Sequence, residues 1–251
     1  MQLHGIAAVV TGAASGLGAA TAAELAERGA RVIGLDLPAA ISTASAVDGV
    51  QLVAADVSSE VDVRAALRAV DPALPLRVAV NCAGIAPSQR VLSSRGPHDL
   101  GLYRKTIEVN LIGTFNVMRL AAEQMATAEP DHDGQRGVIV NTASVAAFEG
   151  QIGQAAYASS KAGVVGLTIA AARDLARSGI RVNTIAPGIV DTPMLATIND
   201  DFRAALAESV VFPKRLAQPA EFARLVVTII ESDYLNGETI RLDGAIRMAP
   251  Q

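Results

Sequence analysis

The sequence predicts an α/β fold: a single doubly wound, parallel sheet of seven strands with helices on both faces. Two observations predict it. Short, continuous apolar runs alternate with longer helical patterns along all 251 residues, and a glycine-rich turn joins the first run to the first helix. No repeat, linker or break in composition interrupts this order. We therefore expect one domain over residues 1–251.

Each predicted strand is an apolar run with little polar alternation, as expected where both faces of a sheet are buried. These runs cover residues 6–10, 31–35, 50–54, 78–80, 138–141, 181–185 and 238–241. The predicted helices have the length and apolar spacing of that element, and cover residues 17–28, 60–70, 103–126, 155–177 and 219–230. Two irregular stretches remain: an insertion at residues 85–100, and residues 188–213, which we expect to form a lid over a ligand.

Composition and charge exclude several functional classes. The net charge of −4 gives no basic excess, so we expect no nucleic-acid partner. The uncharged run at residues 5–23 divides into a strand and a glycine-rich turn, so we expect no membrane span. The one cysteine, Cys82, excludes an internal disulfide and fits a cytoplasmic protein. The three histidines lack metal-ligand spacing, so we expect no metal.

A candidate phosphate-binding cradle joins the first strand to the first helix at residues 11–18, with the sequence TGAASGLG. Glycines let backbone N–H groups approach a pyrophosphate without an intervening Cβ atom, and the helix N-terminus adds partial positive charge. The alternative is a turn that only lets the helix pack on the sheet. The preceding strand and the following helix favour the phosphate site. Its candidate residues are Gly12, Ser15, Gly16, Leu17 and Gly18.

Two carboxylates follow the cradle at the ends of the next two strands. Asp36, eighteen residues after Gly18, can accept hydrogen bonds from adenosine ribose hydroxyls and would repel a 2′-phosphate. This position predicts NAD as the cofactor, with a solvated strand-end carboxylate as the alternative. Asp56, in the segment before Val57, can accept from an adenine amino group. Its alternative role is the N-cap of the next helix.

Small residues complete the predicted cofactor surface at the end of the fourth strand. Asn81, Ala83 and Gly84 lie there, where small side chains let the chain pass close to a bound adenosine. The intervening cysteine has no nearby histidine in sequence, so we expect it to serve as a small apolar residue and not as a nucleophile.

A candidate acid–base pair, Tyr157 and Lys161, is spaced to lie on one face of a predicted helix. A free phenol has a pKa of about 10, and an adjacent cation favours the phenolate, as a positively charged nicotinamide would. Ser144 follows the fifth strand, where its hydroxyl can donate to a developing alkoxide. Asn110 lies in an apolar helical pattern; one option is that it bends the helix and holds a water. A Tyr–Lys pair alone is more often a half-buried Tyr beside a snorkelling Lys.

The order of these features resembles the short-chain dehydrogenase/reductase family over the whole chain. The order is the cradle, Asp36, Asp56, Asn81 to Gly84, Asn110, Ser144, Tyr157, Lys161 and Pro187-Gly188. The resemblance implies a Rossmann fold and hydride transfer between NAD(P) and a carbinol or carbonyl carbon. Tyr157 would be the acid/base, Ser144 the oxyanion donor, and Lys161 the ligand of the nicotinamide ribose. Asn110 would anchor a relay water, and Thr192 would meet the carboxamide.

Several segments resemble one subfamily, the type-2 3-hydroxyacyl-CoA dehydrogenases or multifunctional hydroxysteroid dehydrogenases. These segments cover residues 35–38, 113–117, 137–166 and 236–248, together with the placement of the insertion. The resemblance implies NAD-dependent oxidation of an (S)-3-hydroxyacyl-CoA to a 3-oxoacyl-CoA, with Gln151 and Gln154 in the substrate pocket. Arg90 and Arg95 of the insertion are candidates for the CoA phosphates. Cys82 departs from the family, which commonly has a second Asn there.

Other functions stay open beside this one. Another alcohol or hydroxysteroid dehydrogenase and an NADPH-dependent 3-oxoacyl carrier-protein reductase are enzyme alternatives; Asp36 disfavours the reductase. A cofactor-bound scaffold subunit is the non-enzyme alternative.

The predicted helices at residues 103–126 and 155–177 are rich in small and apolar residues, and one face of each must cover the sheet. By the resemblance, they pair between subunits in a homotetramer.

Overall fold

Seven of the strands lie at or near the predicted positions in a computed structural model that describes residues 1–195 and 200–250. The strands are β1 Ala7–Thr11, β2 Arg31–Asp36, β3 Val50–Ala54, β4 Leu76–Asn81, β5 Leu92–Ser93, β6 Gly96–Pro97, β7 Gly137–Thr142, β8 Ile180–Pro187 and β9 Thr239–Leu242. Two of them, the short strands β5 and β6, were not predicted. The helices are α1 Gly16–Glu27, α2 Pro38–Ile41, α3 Glu60–Leu67, α4 Leu100–Ile107, α5 Thr114–Met125, α6 Ala155–Leu175, α7 Asp200–Ser209 and α8 Pro219–Glu231.

Seven strands form one parallel sheet in the order β3-β2-β1-β4-β7-β8-β9. Both faces are covered, because successive residues of a strand point to opposite sides. Val9 packs with the layer of α3, α5 and α6, whereas Val10 packs with α1 and α8. The predicted fold class is confirmed: this is a doubly wound sheet of Rossmann type.

The direction in which successive strands are added to the sheet changes between β1 and β4. From β1 the chain builds outward through β2 and β3, then returns to β4 on the other side of β1. Ligands of doubly wound sheets bind at the carboxyl ends of the strands beside such a reversal. The cradle, Asp36, Asn81 and Pro187 all follow or end strands at this edge.

The predicted helix at residues 103–126 is not continuous. It is α4, a π-helical segment Glu108–Gly113, and α5. In the wider turn, the Thr114 hydroxyl donates to the Asn110 carbonyl at 2.8 Å. Gly113 allows close approach to the segment before α3, because a Cβ there would lie 2.6 Å from Val57 Cγ2. The helix is thus interrupted by a π-helical segment around Asn110, where the sequence offered a bend as one option.

The two stretches expected to be irregular contain regular structure. A two-stranded antiparallel hairpin, β5–β6, forms in the insertion. The stretch at residues 188–213 holds a short 3₁₀ turn, Pro193–Leu195, and α7. Residues 196–199 of the expected lid lie outside the described residues. None of the described helices combines the length and apolar character that a membrane span needs.

Candidate active site

The cradle between β1 and α1 is built on glycines that no other residue can replace without strain or collision. Gly12 and Gly16 have φ of +67° and +54°, in the left-handed region that favours glycine. A Cβ on Gly18 would lie 2.1 Å from the Gly12 carbonyl oxygen. Ser15 is the N-cap residue of α1, so the free N–H groups of its first turn, Leu17 among them, face this opening.

Asp36 lies at the rim of the cradle, at the end of β2. Its Oδ2 accepts from the Ala14 N–H at 2.9 Å, and its Oδ1 accepts from the Leu37 N–H at 2.8 Å. Each carboxylate oxygen keeps a second lone pair for a ligand. The carboxylate is therefore held beside the phosphate cradle, where the ribose of a dinucleotide would lie.

Asp56 is not the N-cap of α3. That role belongs to Ser59, whose hydroxyl accepts from the Asp62 N–H at 3.3 Å. Asp56 Oδ1 instead accepts from the N–H and hydroxyl of Ser58, which lowers the pKa of the Asp56 carboxyl. Val57 beside it is buried, and its carbonyl accepts from Asn116 Nδ2 at 2.8 Å.

The ends of β1 and β4 are joined through Thr11. Its hydroxyl oxygen accepts from the N–H groups of Cys82 and Ala83, both at 3.0 Å. A Cβ on Gly12 would lie 3.0 Å from the Ala83 nitrogen, so the two strand ends touch. Asn81 donates from Nδ2 to the Asn141 side-chain oxygen at 2.8 Å, which links β4 to β7.

Burial raises the pKa of the Cys82 thiol to about 11. The thiol is therefore neutral at physiological pH and a poor nucleophile, which agrees with the expected role of a small apolar residue.

The side chain of Asn110 clamps the start of the insertion. Its Oδ1 accepts from the Ile85 N–H at 2.8 Å, and its Nδ2 donates to the Ile85 carbonyl at 2.8 Å and to Ser160 Oγ at 3.0 Å. A relay water on the amide group would compete with these bonds. The backbone carbonyl of Asn110 accepts from the Thr114 hydroxyl at 2.8 Å.

Tyr157, Ser144 and Lys161 come together at the carboxyl ends of β7 and β8. Ser144 begins a 3₁₀ turn after β7, where its hydroxyl accepts from the Ala146 N–H at 3.1 Å. It lies near enough to the Tyr157 phenol to lower the pKa of that group. One turn along α6, Lys161 Nζ lies 5.8 Å from the centre of the Tyr157 ring. Lys161 is buried and donates to the Thr142 carbonyl at 2.8 Å. Nζ is also 3.5 Å from where a Gly84 Cβ would lie, so it faces the end of β4.

The last predicted cofactor residues close the edge of the same site. Gly188, after Pro187, donates its N–H to the Leu242 carbonyl at 2.9 Å, and a Cβ on it would lie 2.9 Å from Asp243 Cα. Thr192 Cγ2 is 3.5 Å from where a Gly16 Cβ would lie, so Thr192 lies beside the cradle. The cradle, the strand ends and the tyrosine thus form one continuous site.

Comparison with known proteins agrees with this geometry. The model of the short chain dehydrogenase family matches residues 6–203. The chain belongs to the short-chain dehydrogenase family. It is 55% identical to the bovine protein named 3-hydroxyacyl-CoA dehydrogenase type-2, over 99% of this chain and 98% of that one, and 53% identical to the human protein of that name over the same shares. A crystal structure of 3-hydroxyacyl-CoA dehydrogenase type-2 from Mycobacterium avium superposes with a TM-score of 0.92 at 45% identity, covering 98% of each chain.

Short-chain dehydrogenases use nicotinamide cofactors, and the residues of this member fit one. The cradle leaves no room for a side chain at Gly18, and Asp36 is fixed at its rim. Lys161 reaches the end of β4 between the cradle and Tyr157.

The pKa of Tyr157 in this dehydrogenase differs from the expected one. Burial raises the pKa of the phenol above its ordinary value and outweighs the hydrogen bond from Ser144, which lowers it. Burial also lowers the pKa of Lys161 to about 8, and its ammonium group is drawn to the Thr142 carbonyl. The sequence suggested a lowered phenol pKa because spacing shows the neighbouring cation but not the loss of hydration.

The candidate substrate residues fall into two groups. Gln154, the N-cap residue of α6, donates from Nε2 to Gln151 Oε1 at 3.3 Å, so these two lie together just before Tyr157. Arg90 and Arg95 are exposed on the insertion. The insertion reaches the glutamine pair at one point, where the Gln89 N–H donates to the Gly153 carbonyl at 2.8 Å.

Three residues of the site were not predicted. Thr11 joins β1 to β4, Thr142 holds Lys161 through its carbonyl, and Ser160 links Asn110 to α6. Ser160 is fully buried and donates to the Tyr157 carbonyl at 2.7 Å. Polar residues at strand ends and beside the Tyr–Lys pair were the available signal in the sequence. The sequence does not show which residues they bind.

Proposed function

We propose that this short-chain dehydrogenase oxidises an (S)-3-hydroxyacyl-CoA to the 3-oxoacyl-CoA with NAD⁺. The observation that carries the proposal is the 55% identity, over nearly the full length of both chains, to an enzyme named 3-hydroxyacyl-CoA dehydrogenase type-2. The Tyr157–Ser144 pair beside the cradle supports the reaction type. The presence of a single free cysteine, Cys82, supports a cytoplasmic location.

Each residue of the site has its own role in the proposed reaction. A bound nicotinamide would supply the acceptor for the hydride of the carbinol carbon. Tyr157 takes the proton from the substrate hydroxyl, and Ser144 donates a hydrogen bond to the same oxygen as charge develops on it. Lys161, which lies between Tyr157 and Gly84, binds the nicotinamide ribose. Because burial raises the pKa of Tyr157, positive charge beside the phenol is needed to favour its phenolate.

NAD is favoured over NADP by the position of Asp36. Its carboxylate is fixed at the cradle by the Ala14 N–H, and a 2′-phosphate there would meet a negative charge. The remaining cofactor contacts in the proposal come from the cradle glycines and Ser15, from Asp56 and Val57 at the adenine, and from Asn81, Ala83, Pro187 and Thr192 along the strand ends.

A screen of NADH release tests the proposal against its alternatives. We expect turnover of 3-hydroxyacyl-CoA substrates to exceed that of steroid and simple alcohol substrates and of carrier-protein thioesters. Faster turnover of a steroid or simple alcohol would place the protein among other dehydrogenases of the family. Turnover by none, with NADH still bound, would favour the scaffold alternative.

We propose a homotetramer with two-fold axes. Ile112, Phe115 and Ile169 are about half exposed on the π-segment, α5 and α6, the helices that the family resemblance pairs between subunits. Sedimentation of the wild-type protein at micromolar concentration is expected to give a tetramer. Phe115→Glu with Ile169→Glu is expected to give a smaller species.

Val61→Glu is the control, because Val61 is an exposed apolar residue that lies on α3 and not on the helices proposed to pair. This variant should sediment like the wild type. A wild-type monomer at micromolar concentration would refute the assembly, and an equal effect of Val61→Glu would show that the helices have no special part in it.

We propose that Arg90 and Arg95 meet the phosphates of CoA at the rim. Arg90→Ala with Arg95→Ala is expected to raise the KM for an acyl-CoA about three- to tenfold, since rim charges contribute roughly 0.2–1 kcal/mol each. The rise should be larger at low salt, where the attraction is less screened. The KM of a short substrate without CoA should not change.

The control is Arg31→Ala with Arg68→Ala. Both arginines are exposed, at the start of β2 and the end of α3, on the opposite edge of the sheet. An equal rise for the substrates with and without CoA would mean that the insertion serves pocket closure in general.

A further inference from the structure

The C-terminal tail, residues 243–250, is bound to the loop that precedes the catalytic helix, residues 148–154. We call this loop the substrate loop, because it carries Gln151 and Gln154. The Ile152 N–H donates to the Pro250 carbonyl at 2.9 Å, and Gln151 Nε2 donates to the Ala249 carbonyl at 3.1 Å. Two segments about a hundred residues apart thus meet at the rim of the site.

Glu149 is the centre of this contact. Arg241, on β9, forms a bidentate ion pair with Glu149: NH1 is 2.9 Å from Oε1, and NH2 is 3.2 Å from Oε2. The Met248 N–H adds a bond to Oε2 at 3.0 Å, and Arg247 Nε lies 3.5 Å from Oε1. The side chains of Glu149 and Arg241 are only 20% and 23% exposed, so solvent screens the pair weakly.

Arg241 also holds the tail on the cofactor side of the site. Its Nε is 2.7 Å from Asp243 Oδ2, and its NH2 donates to the Ile246 carbonyl at 3.1 Å. Asp243 packs directly on Gly188. The guanidinium lies 5.5 Å from the Phe148 ring centre, on the other side. One arginine therefore connects the strand end beside the cofactor to the substrate loop.

We propose that Glu149 and Arg241 are positioning residues that set the affinity for the acyl substrate. The inference rests on the proposed function for the nature of that substrate. Ser144 lies just before the substrate loop and Gln154 ends it at the N-terminus of the helix of Tyr157, so displacement of the loop changes the walls of the acyl pocket. The cradle lies on α1, outside these contacts. Loss of the Glu149 charge, whose contacts lie on β9 and the tail, should therefore weaken substrate binding and spare the dinucleotide.

Glu149→Gln tests this, because it keeps the side-chain size and an acceptor for Met248 but removes the charge that binds Arg241. We expect the KM for a 3-hydroxyacyl-CoA to rise about tenfold, as for the loss of one charge-assisted hydrogen bond, with the Kd of NADH unchanged. Arg241→Gln should raise the KM at least as much. The double variant should lose less than the sum of the two single effects, because both changes break the Glu149–Arg241 pair.

Glu60→Gln is the matched control. Glu60 also binds two arginines, Arg64 and Arg119, but on α3 and α5, away from the substrate loop. An unchanged KM in Glu149→Gln, an equal loss of NADH affinity, additive effects in the double variant, or an equal KM rise in Glu60→Gln would each overturn the proposal.

Hydrogen exchange of the substrate-free protein separates this inference from the proposed function. In Glu149→Gln, amide exchange should accelerate at residues 148–154 and 246–250 and stay unchanged in the cradle. Unchanged exchange at the loop would overturn the positioning role whatever the substrate is. If the wild type turns over no 3-hydroxyacyl-CoA, the proposed function fails; the exchange result still decides whether Glu149 holds the loop, and the KM comparison passes to the best substrate of the screen.

Discussion

Tyr157→Phe is expected to lower kcat by about 10²–10⁴-fold, the usual contribution of a general acid–base group, while NADH binds as in the wild type. The substitution removes only the phenol oxygen, which lies near Ser144; the cradle is carried by a different helix, α1. The ring and its packing beside Lys161 are kept. Steady-state rates and fluorescence titration with NADH measure the two effects separately.

Tyr103→Phe is the control for this substitution. Tyr103 is a partly buried tyrosine on α4 whose ring packs edge-on against His98. It should keep wild-type activity. Retention of more than roughly a tenth of the activity in Tyr157→Phe would contradict the acid–base role, because a general acid–base group contributes at least about 10²-fold to the rate.

Asp36→Ala is expected to lower kcat/KM for NAD⁺ by about 10- to 100-fold, because hydrogen bonds to a charged group contribute roughly 1.5–3 kcal/mol. It should also relax the discrimination against NADP⁺, since the charge that repels a 2′-phosphate is gone. The wild type should strongly prefer NAD⁺. Measuring kcat/KM for both cofactors in both proteins checks this.

Asp36→Asn separates charge from loop support. Its side-chain oxygen can still accept from the Ala14 N–H that Asp36 Oδ2 binds at 2.9 Å. Discrimination should fall in both variants, whereas NAD⁺ use should fall less in Asp36→Asn. Equal kcat/KM values for NAD⁺ and NADP⁺ in the wild type would show that Asp36 does not select the cofactor.

The sheet was predictable because its strands are buried on both faces. Continuous apolar runs such as the one around Val9 and Val10 locate a strand without knowledge of its neighbours. The strand–cradle–helix unit was predictable for a related reason, since the requirement for glycine at Gly12, Gly16 and Gly18 is local. Strand bounds were less certain: β4 begins at Leu76, two residues before the predicted start.

The remaining features depend on contacts that spacing does not encode. The hydrogen bonds of the Asn110 amide to Ile85 and Ser160 could not be predicted, because those residues are distant from Asn110 in sequence. The raised pKa of Tyr157 depends on burial by distant segments. The Glu149–Arg241 pair joins residues 92 positions apart, and the sequence does not show that the two segments that carry them meet.

The most direct test of the account is the initial rate of NADH formation when the purified protein is mixed with NAD⁺ and a short-chain (S)-3-hydroxyacyl-CoA, with the (R)-enantiomer measured alongside. We expect kcat/KM for the (S)-substrate in the usual enzymatic range of about 10⁴–10⁸ M⁻¹s⁻¹. The (R)-substrate should be turned over far more slowly. No NADH from the (S)-substrate, by a protein that still oxidises another alcohol, would contradict the assignment of 3-hydroxyacyl-CoA as its substrate.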